Sequence, residues 1–274
     1  MSRKKLKENT RAISTLAIVL LVIVAVASVV GAVVVWWLLV GSANLVTEEM
    51  EFSDFTSVEA GNAFEVEITQ SSSYRVDITA DEYVEVSRTG EDEYERELTF
   101  DYIQVSKAGD TLKIGLKQGY DYRSVHPLRP LTLRAKITMP NLYELEFSGG
   151  THGTIEGFAS SHEFAVDLSG GSHLSGDFTT SGDAQFTLSG GSHLIELEGA
   201  ANDLHVSASS GSHLELSDFH VNDANVNLSG GSHATINLEG RLDADLSGGS
   251  HLEYIGNPTM GDIQTSGGST VGEK

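Results

Sequence analysis

The feature that most constrains this chain is a five-residue signature that returns about every 20 residues through its second half. Ser-Gly-Gly-Thr-His stands at 148–152, Ser-Gly-Gly-Ser-His at 169–173, 189–193, 229–233 and 247–251, and Ser-Ser-Gly-Ser-His at 209–213. A last Ser-Gly-Gly-Ser at 266–269 is followed by Thr270. Counted from the first serine, the steps are 21, 20, 20, 20, 18 and 19 residues. A period of this length marks a repeat architecture. Each unit is too short to bury an apolar face alone, so neighbouring units must stack.

Before each signature the chain alternates apolar and polar residues: Phe164, Val166, Leu168; Ala184, Phe186, Leu188; Leu204, Val206, Ala208; Ala224, Val226, Leu228; Ala244, Leu246. A period of two is that of a strand with one buried face. The glycine pairs suit sharp turns between two sheets, because glycine reaches positive φ without steric cost. A leucine-rich repeat has a similar period, but its asparagine-bearing leucine pattern is absent and no segment here has helical spacing. The sequence therefore predicts an all-β parallel β-helix with coils of about 20 residues and equivalent residues about 4.8 Å apart. Parallel crossovers are almost always right-handed, and that hand is expected here. Regular coils are placed at 148–270, with a tail at 271–274. An irregular β portion at 52–147 has alternating runs at 64–69, 74–79, 111–116 and 131–137. Protruding loops are expected at 90–101 and, around Pro127 and Pro130, at 119–130.

The first forty residues are of another kind. Arg3, Lys4, Lys5, Lys7 and Arg11 form a basic stretch, and Ile13 to Val40 follows without a charged side chain. As a helix that run would be roughly 42 Å long, against a hydrocarbon core of about 30 Å. It is too long for a cleavable secretory signal. Trp36 and Trp37 favour a membrane–water boundary, and the basic stretch favours the cytoplasmic side. The expected layout is a cytoplasmic segment at 1–12, a single transmembrane α-helix at 13–40 and a linker at 41–51. This puts the protein in the cell membrane, with its C-terminal domain extracellular. Residues 7–21 also resemble archaeal pilin-like signal sequences, which implies processing near Ala12-Ile13.

Beyond residue 12, Lys plus Arg falls from 17 to 12 and Asp plus Glu from 39 to 38, leaving a charge near −26. A phosphate backbone needs compensating basic residues, so nucleic acid is excluded as a partner. The chain has no cysteine. Disulfides, thiolate nucleophiles and cysteine zinc sites are excluded with it.

Three further stretches occur in order: Phe55-x-x-Val58-x-x-Gly61-Asn62-Ala63-Phe64-Glu65-Val66-Glu67-Ile68-Thr69-Gln70, then Leu112-Lys113-Ile114, then Ile137-Thr138-Met139-Pro140-Asn141-Leu142 leading into Leu145-Glu146-Phe147-Ser148-Gly149-Gly150. With the repeats, residues 52–270 resemble the family known as "putative auto-transporter adhesin, head GIN domain". The Gly-Ile-Asn of that name is here Gly61-Asn62, with no isoleucine between. The resemblance implies a right-handed β-helix without catalytic residues and a role in cell adhesion.

The residues themselves argue in the same direction. Asp183, Asp203, Asp223 and Glu163 recur once per coil, which is unlike a single active site, and Asp before a strand commonly makes local turn hydrogen bonds. No Gly-x-Ser-x-Gly elbow is present. An enzyme is not expected. One reading is a surface module whose flat polar ladder, Asp167, Thr187, Ser207, Asn227 and Asp245, meets a glycan, a cell-wall polymer or a protein. The other is a cation-binding or self-assembling scaffold. In it His152, His173, His193, His213, His233 and His251 form a ladder, and neutral imidazole suits divalent zinc, copper or nickel. A purely structural ladder would instead stack each ring on the next and bond it to a turn carbonyl. Residues 266–274 look too small to cover the last coil, so weak self-association through open strand edges is expected.

Overall fold

The computed structural model describes residues 44–125 and 129–274. The expected basic segment 1–12 and membrane span 13–40 lie outside the described residues. Among those residues no helix is long and apolar enough to cross a membrane. Two sheets, of eleven and ten strands, form the body, and a third of three strands joins one end.

One coil shows how the repeat folds. Phe164–Leu168 lies in the ten-stranded sheet, the chain turns through 169–172, and His173–Thr180 lies in the eleven-stranded sheet. A second turn at 181–183 returns it to Ala184–Leu188, parallel to the first strand with Val166 opposite Phe186 and Leu168 opposite Leu188. Alternation then decides what is inside. Val166, Leu168, Phe186 and Leu188 are buried from one sheet, and Leu174 and Phe178 from the other. Phe164 and Phe178 face each other across the core with centroids 3.8 Å apart and planes 11° from parallel.

The signature is the turn. Gly170 and Gly171 have φ of 61° and 78°, the positive pair of a type I′ turn. A Cβ at Gly170 would lie 3.1 Å from the backbone nitrogen of Gly149 in the coil before, whereas at Gly171 it would meet nothing within 4 Å. The first glycine is thus required by backbone conformation and by stacking, the second by conformation alone. Ser172 is fully buried, and its hydroxyl donates to the Ser169 carbonyl at 2.7 Å. Ser192, Ser212, Ser232, Ser250 and Thr151 repeat that closure.

The stack begins earlier than the repeat suggests. Ser57–Ala60 and Glu65–Gln70 form a coil whose turn holds Asn62 and Ala63 at φ of 61° and 59°, in place of the glycine pair, and Glu65 pairs with His152. The chain then leaves the stack and returns at Glu144–Phe147 on the coil-ward side of Ser57–Ala60. The excursion adds an outer coil, Thr111–Leu116 with Leu133–Met139, parallel to the one it left. Antiparallel strands close it: Arg75–Asp81 and Leu45–Met50 on one sheet, Ile103–Ala108 on the other.

Three expectations need correction. Leu45–Met50, expected within a linker, is a strand. The expected loops contain strands Glu95–Leu98 and Tyr120–Ser124, which flank Tyr83–Arg88 in the three-stranded sheet. The expected tail is mostly strand, since Thr270–Glu273 pairs with His251–Ile255. All three sit at sheet edges or in a small sheet, where backbone pairing is satisfied with few buried side chains, so the apolar alternation that signals a strand is weak.

Candidate functional site

Each histidine of the signature opens a strand of the eleven-stranded sheet and points outward, with Leu174 and its equivalents inward. Cross-coil pairing runs from Glu65 through His152, His173, His193, His213, His233 and His251 to Thr270. The first three rings are stacked, at 4.5 and 4.6 Å with planes within 5°. The next steps, 6.0 and 6.3 Å, are tilted by 49° and 44°. Nδ1 of His152 and of His173 lies 2.9 and 3.1 Å from the turn carbonyls of Gly150 and Gly171. Burial, with like charge on His152 and His193, holds the His173 imidazole below its ordinary pKa, against the opposing pull of the Gly171 carbonyl. The parallel rings of His152, His173 and His193 do not aim their nitrogens at one point. Among the described residues no three His, Cys, Asp or Glu side chains gather to hold a metal.

The other ladder lies on the outer face of the ten-stranded sheet. Asp167, Thr187, Ser207, Asn227 and Asp245 are in register, one per coil. The structure lengthens this column in both directions, to Glu146, Glu59 and Lys113 on one side and Gln264 on the other. A second column beside it runs Glu144, Ala165, Gln185, His205, Asn225 and Asp243. Carboxylates flank a neutral middle, and Lys113 and Gln264 end the first column. Burial, together with Glu59 and Asp167, raises the Glu146 pKa, and burial with Glu144 raises that of Asp167. In the middle, Asn227 donates to Asn225 at 3.2 Å, while the hydroxyls of Thr187 and Ser207 have no partner among the described residues. The extra members could have been found in the sequence, because Ser57-Val58-Glu59-Ala60 and Glu144-Leu145-Glu146-Phe147 carry the same in–out alternation as the coils.

A shallow groove of about 820 Å³ on the histidine face is bordered by Glu65, Glu67, Arg134, Lys136, His152 and His173. Its basic residues are already paired, Arg134 with Glu65 at 2.5 Å and Lys136 with Glu67 at 2.6 Å, and Glu196 adds a further carboxylate. The recurring aspartates are structural, but not through local turns as expected. Oδ1 of Asp183 accepts from the backbone N–H of Asp203, Asp203 from Asp223 and Asp223 from Arg241, Glu163 makes no such bond among the described residues, and Asp243, two residues out of that register, accepts from Asp262. Each bond ties one coil to the next. The spacing of about 20 residues between them was the available signal.

Residues 95–258 match the family described as "putative auto-transporter adhesin, head GIN domain". The chain belongs to that family. Among solved structures, this head GIN domain is similar to a "putative adhesin" from Bacteroides fragilis at 19% identity and a TM-score of 0.67, covering 85% of this chain and 98% of that one. A "putative adhesin" from Parabacteroides merdae gives 17% and 0.61 with the same coverage. A "putative lipid binding protein" from Parabacteroides distasonis gives 19% and 0.56, again with that coverage. At these identities the likeness establishes the fold. No curated protein matches the chain.

Proposed function

We propose that this head GIN domain is a non-catalytic surface module, a right-handed solenoid held at the outer side of the cell membrane by residues 13–40. It binds a neutral, hydroxyl-rich polymer such as a glycan across the outer face of its ten-stranded sheet. The observation that carries this reading is the pair of in-register polar columns, with Thr187 and Ser207 unmatched beside Gln185, His205, Asn225 and Asn227. Stacked coils present these donors and acceptors at about 4.8 Å intervals, a fixed lattice that an extended polymer can follow. The flanking carboxylates that form no ion pair among the described residues, Glu146 and Asp167 at one end and Asp245 at the other, disfavour anionic polymers. Family membership supports an adhesion-type role.

The test is a binding screen of the full chain in lipid nanodiscs against neutral and acidic polysaccharides. Neutral polymers should bind, and Thr187→Arg with Ser207→Arg and Asn227→Arg should weaken binding at least about tenfold without lowering Tm. Unchanged binding in the triple variant, or binding of acidic polymers alone, would reject the reading. A second reading is self-assembly. Thr259–Thr265 and Thr270–Glu273 are the outermost strands of their sheets among the described residues, and such edges can pair with a second copy.

A further inference from the structure

We infer that the end of the solenoid next to residue 44 is a membrane-contact platform, formed by Leu45, Tyr83, Arg96 and Leu98, which seats the domain on phospholipid headgroups. The inference rests on the anchoring reading above and adds an orientation to it. From the end of the span at Val40 to Asn44 there are four residue steps, no more than about 14 Å of chain even when extended. Asn44 is fixed to the body: its carbonyl accepts from the Glu82 N–H at 2.8 Å, and its side chain donates to the Glu82 carboxylate at 3.1 Å. Whatever surrounds Glu82 is therefore held close to the bilayer.

That neighbourhood has the chemistry of a membrane interface. Leu45, opposite Asp81, is 45% exposed, and Leu98, opposite Tyr83, is 47% exposed. These are two of only three large apolar side chains left exposed among the described residues, and they flank Glu82 from both sides. Register puts Tyr83, Leu98, Glu85 and Arg96 on one face of the three-stranded sheet, away from buried Val84 and Val86. The Arg96 guanidinium lies 4.2 Å from the Tyr83 ring centroid. Leucine enters the acyl boundary, tyrosine spans it, and arginine binds phosphate oxygens. The acidic part of this hairpin, Glu91, Asp92 and Glu93, lies at the opposite end of the strand Tyr83–Arg88, about 20 Å away. The sheet thus carries its exposed apolar side chain and the Tyr83–Arg96 pair at the tether, where Arg96 stands among Glu82, Glu85 and Glu97, and its Glu91-Asp92-Glu93 tip points away from it.

The chain has no cysteine, so single labels can be placed at will. Full chains carrying Leu98→Cys, or Met260→Cys at the far end of the solenoid, would be labelled with an environment-sensitive fluorophore. They would then be reconstituted into vesicles of phosphatidylcholine and phosphatidylglycerol containing a headgroup spin-labelled lipid. The platform predicts that the label at 98 loses most of its fluorescence while that at 260 is unaffected. In a third protein labelled at Leu45→Cys, Arg96→Glu with Leu98→Glu should relieve quenching with flotation unchanged. Flotation of the chain with vesicles reads anchoring separately. A chain that floats but shows equal quenching at 98 and 260 overturns the platform and leaves the anchor standing. A chain that does not float overturns both.

Discussion

Among the described residues, those before residue 148 carry six ion pairs and those after it two. The two regions share one turn and one register yet cohere differently. In the regular coils each coil presents its successor with nearly the same residues, so the same devices recur: a buried hydroxyl closes each turn, apolar rows stack, and from Asp183 onward an aspartate reaches the next coil. In the first region neighbouring rows differ and parallel and antiparallel pairing mix, so adjacent strands are matched by charge, as in Arg134 with Glu65 and Lys136 with Glu67. These pairs are solvent-exposed and contribute little stability. What they supply is choice of neighbour, which the repeat elsewhere supplies through sameness.

The largest expected effect separates the regions by their tolerance of deletion. Removing residues 189–208 excises one coil and should leave a shorter folded solenoid, because Leu188 then meets a turn like the one removed. Removing 189–198 alone strips a turn and most of a strand and should unfold the coils that follow. Equal thermal destabilisation by both deletions would break the comparison. Next in size is the core. Phe178→Ala, which removes a fully buried ring stacked on Phe164, should cost about 3–5 kcal/mol in chemical denaturation. Lys136→Ala in the first region should hardly move the midpoint.

Smaller again are the turns. Gly190→Ala meets φ of 64° and a Cβ 3.0 Å from the Gly170 nitrogen, whereas Gly191→Ala meets φ of 72° and open space. The first should cost about 1–3 kcal/mol and the second about 1. Ser210 occupies the first-glycine position at φ of 59°, so Ser210→Gly should raise Tm. The smallest effect is on pH. Burial and its two histidine neighbours lower the His173 pKa, so on acidification the unfolded chain takes up this proton before the folded one. Stability from this group is complete above about pH 6.5 and is lost as pH falls through that value toward the lower folded pKa. Tm should dip modestly there, and His173→Asn should flatten the dip.

Much of this was legible in the residues. Alternation gave the buried face, and the spacing of the signature gave the coil length and both ladders. The coil at 57–70 was hidden because Gly61-Asn62-Ala63-Phe64-Glu65 performs the turn of Ser-Gly-Gly-Ser-His with different side chains, asparagine and alanine accepting the positive φ of the glycines. The out-of-order insertion of 111–139 outside that coil had no local signal, since it is a choice among parallel neighbours rather than a propensity. The three-stranded sheet was missed because its strands are charged and short. The metal reading of the histidines came from residue type and period alone; ring orientation, which neither reveals, is parallel from His152 to His193 and tilted from His193 to His251.

The coils stack in one register and so lay the polar columns on a single face. Paired spin labels test it directly in the cysteine-free chain, at Ser207 with Asp245, Thr187 with Asp245, and Asp167 with Asp245. One shared register gives backbone separations of about 10, 14 and 19 Å, rising by one strand spacing per coil with narrow distributions. Distances that fail to increase in that order, or broad distributions at every pair, would contradict it.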